Sequence, residues 1–274
     1  MNRIIGILFS VLMALTSCVV VNNPSNQYEA YLPAYKPVPV NRVARGTTFF
    51  NTHNYSKIRV NGIPLEIINS NKSELEVNSN YIEYLKVMSL GDELYIFYDI
   101  PSTGSDGGFR KYNHKFVLHT RQPITGIIAE SSSSIVATDM IKTPHIDINV
   151  LIGAKVKANI SSADINIFAE STGSFSGWLD ADRVSVRMRN AAIAELSGVT
   201  EVADISTSES SSLNGNDWRI GTANINSDSK SRVSVIIREQ LDAYAKNRSI
   251  IKYQPISEAR VSKQTDSGGV IEIF

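Results

Sequence analysis

Residues 145–170 read HIDINVLIGAKVKANISSADINIFAE, and the two β motifs inside this stretch belong to a series that decides the fold. The series runs from residue 127 to residue 253, and each motif is a short run rich in β-branched residues followed by a segment of small residues. The six motifs begin at Ile127, Ile148, Ile165, Val184, Ile205 and Ile225. Their starts are separated by 21, 17, 19, 21 and 20 residues, so the chain repeats itself about once in 20 residues.

A repeat of this length, with β-branched motifs and no helical periodicity, predicts an all-β solenoid. We expect a right-handed parallel β-helix with one repeat per coil, in which each strand hydrogen-bonds to its equivalent in the next coil. The six motif residues would then form an apolar ladder inside the solenoid. Small-residue segments such as Ser131-Ser-Ser-Ser134 and Asn190-Ala-Ala-Ile193 would lie where the coils turn tightly. The alternative is an antiparallel sandwich whose turns happen to be evenly spaced.

The regions on either side of the repeats are also predicted to be rich in strands. Residues 47–126 alternate apolar and polar side chains, and Asn61-Gly62 is a strong hairpin or turn pair between two apolar runs. Residues 127–274 would comprise the repeats and a C-terminal cap, which includes the strand-like run 270–274. Because a solenoid has exposed strand edges at both ends, we expect the first region and this last strand to cap them.

The first 17 residues are predicted to be a lipoprotein signal peptide. Arg3 precedes an apolar run that is too short to span a bilayer, which needs about 20 residues. The ending Leu15-Thr16-Ser17-Cys18 resembles the lipobox of bacterial lipoproteins. That resemblance implies cleavage before Cys18, a diacylglycerol on its thiol and a further acyl chain, such as palmitate, on its amine. The alternative is an ordinary cleaved signal peptide followed by an incidental cysteine.

The segment after Cys18 is predicted to connect the lipid anchor to the domain. Cys18 is the only cysteine, so no disulfide can form within the chain. Val19 follows it in place of the Asp that typically retains lipoproteins in the inner membrane, which favours the outer membrane. Residues 18–46 contain four prolines, which disfavour helix and favour an extended tether. Residues 28–40 could instead lie against the domain as a strand.

Composition and motifs argue against several classes of function. Lys plus Arg and Asp plus Glu both total 27, so there is no basic excess to bind nucleic acid. No phosphate-binding loop, dinucleotide fingerprint, zinc-ligand spacing or nucleophile elbow occurs. The histidines are scattered along the chain as His53, His114, His119 and His145. We therefore predict no cofactor, no metal ion and no catalytic activity.

A small group of charged residues is the strongest candidate for a surface site, and it consists of Asp180, Asp182, Arg187 and Arg189. Two carboxylates two residues apart on a strand share a face and could bind calcium or act as acid and base. The two arginines also share a face and could contact an anionic sugar. The alternative is that these groups are only a polar turn and an exposed strand. Trp178 and Trp218 could form an aromatic surface for sugars, although burial in the core is the usual fate of tryptophan.

The sequence resembles the family described as "putative auto-transporter adhesin, head GIN domain", lipoproteins common in Bacteroidota whose function is unknown. The resemblance covers about residues 47–273 and rests on Ile58-Arg-Val-Asn-Gly62, Gly91-Asp-Glu-Leu-Tyr-Ile96 and Ser249-Ile-Ile-Lys-Tyr253. Family members usually carry a Ser-Gly-Ser-Gly-like motif in each coil, which is degraded here. The resemblance supplies no catalytic residues.

These observations predict a lipid-anchored protein of the cell envelope with a non-catalytic β-solenoid. It would act in binding or adhesion, with a glycan or a protein as ligand, or as a structural module. The alternative is a carbohydrate-active enzyme, a polysaccharide lyase or hydrolase, and it requires the carboxylates and arginines of the candidate group to be gathered in one groove.

Overall fold

The computed structural model describes residues 36–99, 114–256 and 258–274, and strands make up 69% of them. The strands form a β-solenoid of about 8 turns, as the sequence predicts. In chain order they are β1 Lys36–Pro37, β2 Val40–Ala44, β3 Thr47–Asn51, β4 Lys57–Asn61, β5 Pro64–Asn69, β6 Glu74–Asn78, β7 Leu85–Leu90, β8 Glu93–Tyr98, β9 Lys115–Thr120, β10 Gly126–Glu130, β11 Ser134–Ala137, β12 Ile141–Lys142, β13 His145–Leu151, β14 Lys155–Lys157, β15 Ile160–Glu170, β16 Ser174–Arg189, β17 Ile193–Thr207, β18 Ser212–Ser227, β19 Arg232–Ala245, β20 Ile250–Pro255, β21 Arg260–Thr265 and β22 Val270–Ile273. One 3-10 turn, Ile82–Tyr84, precedes β7. No helix in the described ranges is long and apolar enough to cross a bilayer.

The long strands β15 to β19 are the centre of the solenoid, and each pairs in parallel with the next. Each of the strands β16 to β19 carries nearly a whole coil. In β16, two breaks in the alternation of buried and exposed residues, at Gly177–Trp178 and at Asp182–Arg183, divide the coil into three straight runs. Two neighbouring residues cannot both point outward from a straight strand, so these breaks mark the bends of the coil.

The inside of the solenoid is filled by apolar ladders, and the six predicted motif residues are all at most 3% exposed. Ile127 stacks on Ile148, and Ile205 stacks on Ile225, as expected. Ile148 stacks on Ile167 rather than on Ile165, and Val184 stacks on Ala203 rather than on Ile205. The predicted register is wrong by two residues at these two steps. A two-residue shift keeps a side chain on the same face, so the burial prediction remains correct.

Tight corners join the successive coils at eight positions, and each corner has two consecutive residues with positive φ. The first residue of each corner is Ser131, Ile152, Ser171, Asn190, Glu209, Ser229, Asn247 or Ser267. The small-residue segments predicted to lie at tight turns are the segments found at these corners.

The solenoid extends further toward the N-terminus than residue 127. Strand β4 pairs in parallel with β8 on one side and with β10 on the other, and β5 likewise lies between β9 and β11. The Asn61-Gly62 pair forms a turn between β4 and β5, which do not pair with each other. Strands β6 and β7 then run antiparallel to β9 and β8, and β3 and β1 continue this antiparallel end.

Part of the segment expected to be a tether is paired with the domain. Lys36–Pro37 pairs antiparallel with β7, and Val40–Ala44 pairs antiparallel with β3. These residues therefore form strands that lie against the domain, which is the alternative to an extended tether. The predicted signal peptide, residues 1–17, and Cys18 lie outside the described residues.

Candidate functional site

An open groove surrounds Trp178 at the bend that follows the first run of the central coils. It encloses about 450 Å3 and is lined by Lys157, Asn159, Ser176, Gly177, Trp178, Glu195, Leu196, Ser197, Asn214, Asn216 and Asp217. The groove therefore spans four successive coils, whose equivalent residues come together by the parallel pairing.

The backbone at the bend directs the Trp178 indole outward. A Cβ on Gly177 would lie 1.9 Å from the carbonyl oxygen of Ala158, so only glycine allows the coils to approach this closely. The backbone N–H of Trp178 donates a hydrogen bond to Oδ1 of Asn159, with a nitrogen–oxygen distance of 3.1 Å. The Trp178 residue is 37% exposed. This tryptophan is consequently held by its backbone while its ring faces solvent.

Trp218, the other tryptophan, belongs to the core. It is fully buried, and its indole N–H donates to Oγ1 of the buried Thr200 at 2.9 Å. The two tryptophans therefore do not form a common surface, and only Trp178 can contact a ligand.

Two outward rows of polar residues form the walls of the groove. In one row, Lys157, Ser176, Glu195 and Asn214 are paired from coil to coil. In the other row, Trp178 is paired with Ser197 and then with Asp217. Neighbouring strands of a sheet lie about 4.8 Å apart, so each wall is a closely spaced series of hydrogen-bonding side chains.

Sequence reasoning missed all the polar residues of this groove. The spacing of 19 residues that separates Lys157, Ser176, Glu195 and Asn214 would have found the first row. Asn159, Trp178 and Ser197 are also 19 residues apart, but the step from Ser197 to its partner Asp217 is 20 residues because the register shifts between β17 and β18. That spacing becomes visible only when the sequences of successive coils are aligned at their outward-facing positions as well as at their apolar ones.

The predicted carboxylates lie in a second groove. Asp180 and Asp182 line a depression of about 390 Å3 together with Glu201. Oδ2 of Asp180 accepts a hydrogen bond from Oγ of Ser161 at 3.5 Å, and Glu201 forms a 2.9 Å ion pair with Arg238. Asp182 occupies the bend between the second and third runs of its coil.

The predicted arginines lie beyond that bend, on the third run of the same coil. Arg187 lines a separate groove with Asp147 and Asn166. Arg189 is committed to an ion pair with Glu170, with 2.8 Å between Nε and Oε1, and this hydrogen bond raises the pKa of the guanidinium further. Neither arginine lines the groove of the two aspartates, so the gathering that the enzyme hypothesis requires is not present.

His119 and His145 each lie beside a carboxylate. Nε2 of His145 is 3.1 Å from Oδ1 of Asp147, and Nε2 of His119 is 3.2 Å from Oε2 of Glu76. Burial raises the pKa of Asp147, but hydrogen bonds from Asn166 and His145 lower it more, so it lies below its usual value. Within the described ranges, no three His, Cys, Asp or Glu residues are grouped as metal ligands.

A family model described as "Putative auto-transporter adhesin, head GIN domain" matches residues 54–254. The chain belongs to this family. The match begins three residues before β4 and ends in β20, so it includes almost the whole solenoid and the grooves described above. The family identified by sequence resemblance is thereby confirmed.

Solved structures of similar proteins share this fold. A "putative adhesin" from Parabacteroides merdae has a TM-score of 0.74 at 13% identity, covering 83% of this chain and 95% of its own. A "putative lipid binding protein" from Parabacteroides distasonis has a TM-score of 0.70 at 18% identity, with coverage of 83% and 96%. A "putative adhesin" from Bacteroides fragilis has a TM-score of 0.58 at 15% identity, with the same coverage.

These names describe adhesins and a lipid-binding protein, and none of them describes an enzyme. At identities this low, the structural similarity establishes a common fold and says nothing about a common ligand. The search of curated proteins gives no match.

Proposed function

We propose that the protein is a lipid-anchored envelope lipoprotein whose β-solenoid is a non-catalytic binding or adhesion module. The observation that carries this proposal is the outer surface of the solenoid, where equivalent polar side chains stack in rows from coil to coil. The row Asp147, Asn166, Ser185, Asp204 and Asn224 on the third run is one example. Such a surface is repetitive, rigid and open, which suits contact with a polymer or another protein better than the enclosure of a small molecule.

Membership in a family described as adhesins supports the same proposal. It is also supported by the separation of the predicted carboxylates from the predicted arginines, because the enzyme hypothesis required both sets of residues in one groove. An adhesion module requires only that its surface be held outside the cell.

The anchor would be Cys18, released as the first mature residue when the signal peptide, residues 1–17, is removed. Several acyl chains, each CH₂ worth about 0.8 kcal/mol on burial, make release from the membrane negligible. The described chain enters the solenoid at its antiparallel end, through β1 and β2. The coils β19 to β22 lie at the opposite end and would be furthest from the anchor.

The anchor is tested by intact mass and membrane fractionation of the native protein beside two variants. We expect a lipid-sized mass increase and outer-membrane residence for the wild type, and loss of both in Cys18→Ala. The matched control is Val19→Asp, which introduces the residue that typically retains lipoproteins in the inner membrane. This variant should keep the lipid-sized mass increase but move to the inner membrane. An unmodified, soluble wild-type protein would contradict the proposal.

Adhesion is tested with cells that produce the wild type, cells that produce Cys18→Ala and cells that lack the protein. Retention is measured on surfaces coated with mucin, with fibronectin or with purified envelope polysaccharide. We expect wild-type cells to be retained on at least one coating, and the other two strains to be retained less. Equal retention of all three strains on every coating would refute the adhesion role.

A further inference from the structure

We propose that the groove around Trp178 is a binding subsite for an uncharged pyranose unit of a glycan. This inference rests on the proposed adhesion function and names the class of ligand that the surface takes. It is carried by one exposed tryptophan whose backbone is held by Asn159 and whose side chain is surrounded by amide, hydroxyl and carboxylate groups from neighbouring coils.

The indole supplies the apolar half of sugar recognition. One face of a pyranose ring presents C–H bonds whose hydrogens are slightly positive, and they pack against the negative face of an aromatic ring. Trp178 has the accessible surface for this contact, since it is 37% exposed. Its equivalents in the neighbouring coils, Asn159, Ser197 and Asp217, are all polar. The ring is therefore an isolated aromatic platform in a polar row.

The residues around the platform supply the polar half. Sugar hydroxyls both donate and accept hydrogen bonds, and the Asn214 and Asn216 amides can do the same, while Glu195 and Asp217 accept. These four residues and Trp178 line one groove, and all five are exposed. A ring that stacks on Trp178 would have its hydroxyl edge directed toward one of the two walls.

The charges of the lining select against acidic sugars. Lys157 is the one cation among the residues that line this groove, against the two carboxylates Glu195 and Asp217. The local charge is therefore negative by one unit, which repels a uronate or a sulfated sugar at close range. An uncharged hexose or N-acetylhexosamine meets no such repulsion.

The proposal is tested by binding of the purified mature protein to immobilised cello-, laminari-, manno- and N-acetylglucosamine oligosaccharides, with polygalacturonate and hyaluronan as acidic comparators. We expect at least one neutral series to bind and the acidic polymers not to bind. Trp178→Ala should weaken that binding at least tenfold, whereas Trp178→Phe, which keeps an aromatic face, should retain part of it. Asn214→Ala should weaken it by a smaller factor.

The matched control is Val202→Ala, because Val202 is also 37% exposed but lies at the next bend of its coil, on β17 and outside the groove. Its binding should equal that of the wild type. A spectroscopic readout is also available, since Trp218 is fully buried and only Trp178 should change its fluorescence on saturation with sugar.

The subsite is refuted if the wild type binds none of the neutral oligosaccharides, or if Trp178→Ala binds them as the wild type does. If cells that produce Trp178→Ala are still retained on a coated surface like wild-type cells, adhesion stands and uses another part of the solenoid. If wild-type cells are retained on no coating, the adhesion function fails whatever the oligosaccharides show.

Discussion

Small residues inside the corners allow the coils to stack. The residue after the two positive-φ residues of each corner is Ser133, Ala154, Gly173, Ala192, Ser211, Ser231, Ser249 or Gly269. All are buried except the last, which is partly exposed. A Cβ on Gly173 would lie 2.1 Å from the carbonyl oxygen of Val150, which shows how little space this position leaves. The serines among these residues also bury a hydroxyl group that needs a hydrogen-bond partner, and not all of them have one.

Ser231 and Ser249 occupy the same position in consecutive corners and allow a matched test of that inequality. Oγ of Ser249 donates to the carbonyl oxygen of Ser227 at 2.7 Å, whereas Oγ of Ser231 is buried without a hydrogen-bond partner. Removing a satisfied hydroxyl costs about 1 kcal/mol, and removing an unsatisfied one relieves a desolvation penalty. We expect Ser249→Ala to lower the free energy of unfolding by about 1 kcal/mol. Ser231→Ala should leave this free energy unchanged or raise it, as measured by urea denaturation. Equal losses in the two variants would show that Oγ of Ser231 is bonded in solution.

Gly177 is the second position at which a single atom decides the local structure. An added Cβ would meet the Ala158 backbone, which cannot move without shifting a whole coil. We expect Gly177→Ala to destabilise the protein by about 1–3 kcal/mol, the usual cost of overpacking. It should also change the fluorescence of Trp178. In the control, Gly126→Ala, the nearest atom is Cγ of the Lys57 side chain, which can rotate away. If Gly177→Ala lost no more stability than this control, the close approach of Gly177 to the Ala158 backbone would be contradicted.

At the scale of the element, the corners show a conflict between sequence and backbone. Left-handed φ is unfavourable for residues with a Cβ, least so for Asn and most so for β-branched residues. Asn190 and Asn247 fill the first corner position in two coils, but Ile152 fills it in another, with φ of 53° and 61% of its surface exposed. The exposed side chain of Ile152 gains little from burial to offset this strain.

Ile152→Asn should therefore stabilise the protein. We expect the free energy of unfolding to rise by about 1 kcal/mol, because the left-handed conformation costs L-residues roughly 1–2 kcal/mol and Asn less. The control is Ile193→Asn, an exposed residue in the strand β17, where a β-branched side chain is favoured and the change should destabilise. Parallel thermal and urea denaturation of both variants measures the difference. A loss of stability in Ile152→Asn would show that Ile152 is favoured at this corner.

The period and the interior of the solenoid could be predicted from sequence, whereas the register could not. In the coil β16, Val184 and Val186 both point inward, so either could be taken as the motif residue. Hydrophobic patterning alone does not distinguish the correct register between two coils from a register shifted by two residues. The coil built by β4 and β5 was also missed as part of the solenoid. It lies between strands that come later in the chain, so no regular repeat connects it to its neighbours.

The candidate site was predictable only in part. Spacing of two residues placed Asp180 and Asp182 on one strand, and they line one groove. It could not show that the chain bends at Asp182–Arg183, which directs the arginines to another surface. The groove around Trp178 depends on four coils, and a pattern distributed over 60 residues is not apparent without the register.

At the scale of the whole molecule, the two ends of the solenoid differ. The N-terminal end finishes in short antiparallel strands, with β1 only two residues long and containing Pro37, which limits edge-to-edge pairing. At the other end β21 pairs only with β19, and β22 only with β20, among the described strands. Lys263 is exposed on β21, whereas β22 exposes Val270 and Ile273 beside Glu272, so charged residues blunt only part of this edge.

This asymmetry predicts a gradient of stability along the solenoid. In a linear array each coil is stabilised mainly by its neighbours, so the last coil, with a neighbour on one side, should open most easily. We expect amide hydrogens of β16 to β18 to exchange slowest and those of β21 and β22 to exchange fastest, measured by mass spectrometry of peptides after hydrogen–deuterium exchange. Strands β3 and β6 lie near the N-terminal end and are each paired on both sides. They are the internal control, and their exchange rates should be intermediate. Protection of β21 and β22 equal to that of β17 would contradict the gradient, because backbone amides at an open edge exchange directly with water unless something covers them.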